Sequence, residues 1–374
     1  MAVWSETKLP TILSRYQLKD IFNADEFGLF YQQLPSRTLS KKGEKCSGGK
    51  RSKVRLTGMA AASALGEQLP MFVIGKYQNP RCFKNIRNLP CRYRWQKKSW
   101  IDSALFEEWM RELDDHFRKN DRKICLIVDN CPAHCDVAGM TNVRLEYLDP
   151  NTTSKAQPMD QGVIKSLKSK YRRKIVREFI RSLDAGYGIP KISIVSAMRM
   201  LVSAWKDVSS ETIQNCFRKC SISVEDQEFS ISDQDDPFQL IGLQEDIDEL
   251  RQLNAAVIPE DFSVEDVVGF DDEVSVTKDH STDAEILAWA KGEEDDVEKD
   301  EDDDEDDDVV ETDVEIPCPN TEELYSAINT IRRYSFFTSS QALITITEDL
   351  EKIVHDNRKK NLKQKCVTDF FLKN

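Results

Sequence analysis

Lys123-Ile-Cys-Leu-Ile-Val-Asp-Asn130 (KICLIVDN) decides the fold. A continuous apolar run that ends in a carboxylate reads as a central strand buried on both faces. Immediately before it, Asp102 to Asn120 has an acidic start, a basic finish and apolar residues at Leu105, Phe106, Trp109, Leu113 and Phe117, which predicts an amphipathic helix. Further upstream, Asp20–Tyr31, Lys53–Ala64 and Leu69–Lys76 read as strands, the last two joined through Gly66-Glu67 as a hairpin. Downstream, Asn142–Leu148 alternates as another strand. After a polar loop, Met159 to about Leu183 forms a long basic helix with Ile164, Leu167, Tyr171, Ile175, Phe179 and Leu183 on one face. This alternation of strands and helices points to an α/β domain.

Composition divides the chain in two. The net charge is −14, yet residues 1–220 hold 39 Lys and Arg against 22 Asp and Glu, and the remainder holds 13 against 44. The first part attracts phosphate and the second repels it. The expected domains are therefore a folded unit over 1–220, an acidic and largely disordered linker over 221–320 that contains EEDDVEKDEDDDEDDD at Glu293–Asp308, a small helical region over 321–358, and a basic tail over 359–374. Ten cysteines at irregular spacings, with no C-x-x-C, argue against a disulfide framework or a zinc ribbon. The first ten residues lack the pattern of a signal peptide, and no run approaches the ~18 apolar residues of a membrane span. The expectation is an intracellular protein with no membrane partner.

The order of elements places chemistry. A strand carrying an acid, two strands, a helix, a strand ending in an acid, a further strand and a helix starting with an acid is what an RNase H-like mixed sheet with flanking helices needs. Strands one and four would lie side by side, bringing Asp25 next to Asp129, and Asp160 would complete the cluster. Three adjacent carboxylates repel one another, and the arrangement becomes tolerable with divalent cations between them; oxygen donors suit Mg²⁺ or Mn²⁺. Taken singly, each acid has a plainer explanation: a strand-end carboxylate, a turn residue and a helix cap. His134 could orient a metal-bound water or a phosphate, or serve as a hydrogen-bonded scaffold residue. Glu26 is expected to face away from Asp25, because neighbouring strand residues alternate faces.

Asn23-Ala-Asp-Glu26, Val128-Asp-Asn-Cys-Pro-Ala-His134, Pro150-Asn-Thr-Thr-Ser154 and Gln157-Pro-Met-Asp-Gln-Gly162 together resemble the DDE endonuclease domain of pogo/Tigger transposases, a group related to Tc1/mariner elements. The resemblance covers roughly Trp4 to Cys220. It implies an RNase H-like fold, Mg²⁺-dependent DNA strand cleavage and transfer by Asp25, Asp129 and Asp160, and a nuclear location. Two departures stand out. Only 24 residues precede Asp25, whereas the family carries paired helix-turn-helix domains there, and Asp149 adds a carboxylate beside the site. Three readings follow: an active endonuclease or strand transferase, a domesticated DNA- or chromatin-binding protein with an idle site, and a truncated gene model.

Two further sets of residues suggest partners. Lys84, Arg87, Arg92, Arg94, Lys97 and Lys98, around Tyr93 and Trp95, together with Lys165, Lys168, Arg172 and Arg173 on the long basic helix, form a candidate DNA surface; a solvated helix face is the competing reading. Between Val54 and Trp100 the only acid is Glu67, which favours DNA. In the tail, Gln364, Val367, Phe370 and Phe371 are spaced like the motif with which replication and repair proteins bind the sliding clamp, proliferating cell nuclear antigen. The alternative is a frayed terminus.

Overall fold

The structure is a computed structural model that describes residues 4–32, 34, 54–149, 156–223, 237–254, 257–258, 262–272, 321–338 and 340–361. After a short helix α1 (Leu9–Arg15), the chain enters the longest strand, β1 (Ile21–Phe30). Strands β2 (Arg55–Ser63), β3 (Phe72–Gly75) and β4 (Arg92–Trp95) follow, then helix α2 (Ser103–Lys119) and strands β5 (Ile124–Val128) and β6 (Val143–Tyr147). They make one six-stranded sheet in the order β4-β3-β2-β1-β5-β6. Antiparallel pairing joins β1 to β2 and β2 to β3, while β1–β5, β5–β6 and β3–β4 are parallel. Three antiparallel strands with two parallel ones added beside the first give the expected RNase H-like arrangement, extended at one edge by β4.

Each strand forms where the sequence pattern demands it. Ile124–Val128 is fully buried, as a central run of branched apolar residues should be. Helix α2 starts at Asp102, whose side chain accepts a hydrogen bond from the Leu105 amide, and its apolar stripe packs Phe106, Trp109, Met110, Leu113 and Phe117 onto one face of the sheet. The turn between β2 and β3 needs Gly66: its φ is +86°, and a Cβ there would come 2.5 Å from Ser210. Strand β4 escaped the sequence reading because RYRW has two charges in four residues and sits at an edge, where hydrogen bonding to β3 decides the conformation rather than apolar run length.

The other face of the sheet is covered by α3 (Ile164–Asp184), α4 (Ile194–Asp207) and α5 (Ser210–Lys219). Onto α3 pack α6 (Pro237–Leu253) and the short helix α7 (Val264–Val268). These two helices fall, in the described residues 237–254 and 262–272, within the stretch 221–320 read from composition as an acidic, largely disordered linker. Leu243, Ile247 and Leu250 follow helical spacing and are buried, as are Val264, Val267 and Val268. Their apolar pattern was masked by the acid-rich composition around them. The run Glu293–Asp308 lies outside the described residues. Separately, α8 (Thr321–Phe337) and α9 (Gln341–Asn361) form a helical hairpin. No helix among the described residues is long and apolar enough to cross a membrane.

Candidate metal centre

Alternation along β1 sorts its side chains. Phe22 and Ala24 join the core under α2, whereas Ile21, Phe27 and Leu29 join the core under α3 to α5. Asp25 consequently faces α3, and Glu26 faces α2. Strand β5 sorts in the same way, with Leu126 and Val128 under α2 and Cys125 and Ile127 on the opposite face. Continuing that alternation puts Asp129 on the face of Asp25. Register agrees: Ile21, Phe22 and Asn23 pair with Cys125, Leu126 and Ile127, and two further steps bring Asp25 level with Asp129.

Asp160 arrives on a π-type turn, Met159–Val163, that leads into α3. Gly162 in this turn has φ of 135°, a conformation open to glycine, and breaks the helical path between Asp160 and α3. The start of the turn is tied down by Asn23, which is wholly buried. Its Oδ1 accepts from the Met159 amide at 2.8 Å, while its Nδ2 donates to the Ile127 carbonyl at 2.9 Å.

Asp25 and Asp129 thus lie level on one face of the sheet, and the turn that carries Asp160 is tied to β1 beside them. Asp25 is 9% exposed, Asp129 is half-buried and Asp160 faces solvent. Burial pushes the Asp25 carboxyl well above the usual carboxylate range, and the charges of Asp160, Glu26 and Asp129 and a hydrogen bond with Asp160 add to the rise. Burial and the Asp129 charge also raise Asp160, against the hydrogen bond from Asp25 and the charge of Lys168. Neighbouring carboxylates oppose one another's ionisation, and a divalent cation between them relieves that cost. An all-oxygen donor set of this kind fits Mg²⁺ or Mn²⁺.

A second cluster lies beside it. His134, with a side chain 1% exposed, sits 2.7 Å through Nε2 from Glu26 Oε1. Its Nδ1 is 2.8 Å from Asp129 Oδ1 and 3.1 Å from the Asp129 carbonyl, and its ring packs 4.5 Å from that of Phe106. Burial disfavours the imidazolium, but the Glu26 charge and the hydrogen bonds to Asp129 and Glu26 prevail and push His134 up to about 12. Of the two readings offered for His134, the scaffold role fits this geometry. Asn23 and Glu26 were missed as site residues. The signal available was Asp-Glu adjacent within a buried strand, since the second buried acid must find a partner on the opposite face.

The candidate DNA residues separate into two groups. Lys84, Arg87, Lys97, Lys98 and Lys165 are exposed, beside Trp95 at 46%. Arg92 and Arg94 are partly exposed and bound to Glu108, with Arg92 also paired to Glu112. On α3 the picture departs from the expected basic surface. Lys168 is buried and bonded to Asp272 at 2.7 Å, Arg172 is fully buried against Asp271, and Arg173 lies 2.8 Å from Asp246, which also binds Arg177 at 2.8 Å. The acids of residues 237–272 cover these cations because the apolar residues of α6 and α7 pack onto α3. Asp149, the extra carboxylate, is 3.3 Å from Lys8 Nζ. The tail residues Gln364, Val367, Phe370 and Phe371 lie outside the described residues.

Residues 53–217 match the family model of the DDE superfamily endonuclease. Tigger transposable element-derived protein 4 of Mus musculus is 31% identical over 334 residues, covering 89% of this chain and 64% of that protein. Tigger transposable element-derived protein 7 of Homo sapiens is 31% identical over 229 residues, or 54% of this chain and 42% of that protein. Major centromere autoantigen B of Homo sapiens is 27% identical over 221 residues, or 57% and 35%. The chain therefore spans less than two thirds of each of these relatives. Among solved structures, a Mos1 transposase paired-end complex aligns at a TM-score of 0.36 with 12% identity, covering 57% of this chain and 56% of that one. Over residues 53–217 the chain is thus similar to the DDE superfamily endonucleases, and over most of its length to the Tigger transposable element-derived proteins.

Proposed function

We propose that this chain is a transposase-derived, DNA-binding protein whose Asp25, Asp129 and Asp160 form a Mg²⁺- or Mn²⁺-dependent site for DNA strand cleavage and transfer. The observation that carries the reading is the placement of these acids: Asp25 comes level with Asp129 on neighbouring strands, and Asp160 lies on the turn that Asn23 ties to β1 and β5. Bound divalent ions supply activation of a water or a 3′-hydroxyl and stabilisation of the leaving oxygen. Asp25 is the inner ligand held rigidly by β1, and Asp129 and Asp160 close the site from β5 and the turn before α3. The ion pair of Asp149 with Lys8 keeps the extra carboxylate from adding to the repulsion at the site. Exposed Lys84, Arg87, Lys97, Lys98 and Lys165 supply phosphate contacts, and a nuclear location is part of the same proposal. Docking of the tail on proliferating cell nuclear antigen is a separate proposal, tested by calorimetry with a peptide of residues 359–374; no binding at high micromolar concentration rejects it.

A second reading, a domesticated DNA-binding protein with an idle site, draws support from the internal pairing of Lys168, Arg172 and Arg173. Nicking of supercoiled DNA by the purified chain separates the two. Metal-dependent nicking that Asp129→Ala abolishes supports the first reading. DNA binding without nicking in either Mg²⁺ or Mn²⁺ supports the second.

A further inference from the structure

Strand β1 contributes more to the centre than Asp25. On either side of that residue stand two buried polar side chains whose partners reach the other two acids. Asn23, on the face of Asp25, bridges two elements at once: the Ile127 carbonyl of β5, two residues before Asp129, and the Met159 amide, one residue before Asp160. Glu26, on the opposite face, reaches around the end of β5 through His134 to Asp129.

We propose, on the basis of the three-acid reading above, that Asn23 and Glu26 are positioning residues for divalent-metal binding, Asn23 for Asp160 through the Met159 amide and Glu26 for Asp129 through His134. The segment Asn23-Ala-Asp-Glu26 then sets the spacing of all three ligands from one rigid strand. Both devices suit the physics. A buried amide with a donor and an acceptor bond cannot move without leaving a polar group unsatisfied in the core, so the Asp160 turn is fixed relative to β5. Glu26, with a side chain 3% exposed, fixes the ring through Nε2, and the ring's Nδ1, hydrogen-bonded to the Asp129 carbonyl at 3.1 Å and 2.8 Å from Oδ1, fixes Asp129 at the end of β5.

Glu26, Asp129 and His134 offer donor atoms within 4.8 Å of one another, so the group could itself be taken for a metal site. The imidazole argues otherwise. Its two nitrogens point to opposite sides of the ring, Nε2 to the Glu26 carboxylate and Nδ1 to the Asp129 carbonyl, so the three donors do not converge on a common point. The arrangement is a strut between two acids, with the ring wedged against Phe106 of α2.

The test is Mn²⁺ binding to the purified full chain, followed by electron paramagnetic resonance, in variants that retain cooperative melting. Asn23→Leu removes both bridging bonds while keeping the branching of the side chain; Glu26→Leu and His134→Phe break the strut while keeping the space filled. Each should weaken Mn²⁺ binding by about 10-fold or more, the usual scale for groups that orient metal ligands. Glu26→Gln, which still offers an acceptor to Nε2, should stay within about 3-fold of wild type on the same scale.

Coupling gives a readout that general loosening of the fold does not. Glu26→Leu with His134→Phe should lose no more than either alone, because both lie on one path to Asp129. Asn23→Leu should add to either, because it acts on Asp160. If Asp129→Ala abolishes Mn²⁺ binding while Asn23→Leu, Glu26→Leu and His134→Phe leave it unchanged, the positioning roles are overturned and the metal centre stands. If Asp129→Ala binds Mn²⁺ as wild type does, or the wild-type chain binds none, the three-acid reading itself falls. Should Asn23→Leu fail to fold, Asn23→Ser reads the same contacts, and unchanged Mn²⁺ affinity there overturns the role of Asn23.

Discussion

Arg172, wholly buried in the middle of α3, is paired with Asp271, a residue 99 positions later in the chain. Its guanidinium also donates to the Phe30 carbonyl at the end of β1, at 3.0 Å, and Asp271 in turn accepts from the Phe30 amide at 2.8 Å. One ion pair thereby ties the longest strand, the helix after Asp160 and the segment 262–272 into a single closed arrangement.

Breaking this pair should be costly. Removing one partner leaves a charge buried without compensation, so Asp271→Ala should destabilise the protein by about 3–5 kcal/mol, whereas Arg172→Met with Asp271→Leu should recover most of the loss. Urea unfolding of the three proteins measures this. Equal stability of Asp271→Ala and wild type would show that the pair is open in solution.

How much of this was legible beforehand depends on whether the signal was local. Ile124–Val128 and Asp102–Asn120 declared strand and helix through their own periodicity; Asp129 and Asp160 drew notice because each flanks such an element, and Asp25 because it lies within an apolar strand. Residues 237–272 were not. Leu243, Ile247 and Leu250 keep helical spacing, but charge averaged over the segment outweighed three apolar residues whose value appears only against α3. The fate of Lys168, Arg172 and Arg173 was hidden for the same reason: a basic stripe on a helix reads identically whether water, phosphate or a later acidic segment covers it. Asn23 and Glu26 were quoted within a motif, yet their roles depend on Met159 and His134, more than 100 residues away.

At the centre itself, burial pushes the Asp25 carboxyl well above the usual carboxylate range, and the charges of Asp160, Glu26 and Asp129 add to the rise. Asp25→Asn removes the charge at the same volume. In metal-free buffer at neutral pH this variant should melt above wild type, by about 2–4 °C for each kcal/mol of relieved repulsion in a domain of this size. Addition of Mn²⁺ should raise the melting temperature of wild type and leave the variant unmoved. A variant that melts lower than wild type and still responds to Mn²⁺ would remove Asp25 from the metal site.

Asp114 governs a different pH dependence. Although burial opposes ionisation, its carboxylate accepts from the amides of Asn142, Val143 and Thr141, and these bonds hold its pKa below the usual range. A depressed acid contributes stability that is present above its unfolded pKa, about 3.9, and is lost as pH falls through the folded value. Asp114→Asn should cost about 2–3 kcal/mol at pH 7, the scale of hydrogen bonds to a charged acceptor. It should also flatten the loss of stability below about pH 4, where the wild-type carboxylate protonates. Parallel acid titrations of stability for wild type and variant would refute the assignment.

DNA binding provides the sharpest contrast between the two groups of cations. Lys84, Arg87, Lys97 and Lys98 are exposed around Trp95, whereas Arg173 is held by Asp246 under α6. Each phosphate neutralised contributes about −0.9 to the slope of log affinity against log salt concentration. Replacing the four exposed cations by Gln should therefore reduce the slope by up to about 3.6 and weaken binding alike for unrelated sequences. Arg173→Gln should leave the slope unchanged and lower the melting temperature instead, because its charge serves α6. Fluorescence anisotropy with labelled duplexes between 50 and 200 mM salt, roughly the range over which such contacts are lost, measures both effects. Were Arg173→Gln to reduce the slope as much as Lys97→Gln, α3 would be accessible to DNA in solution and the cover formed by residues 237–272 would have to open when DNA binds.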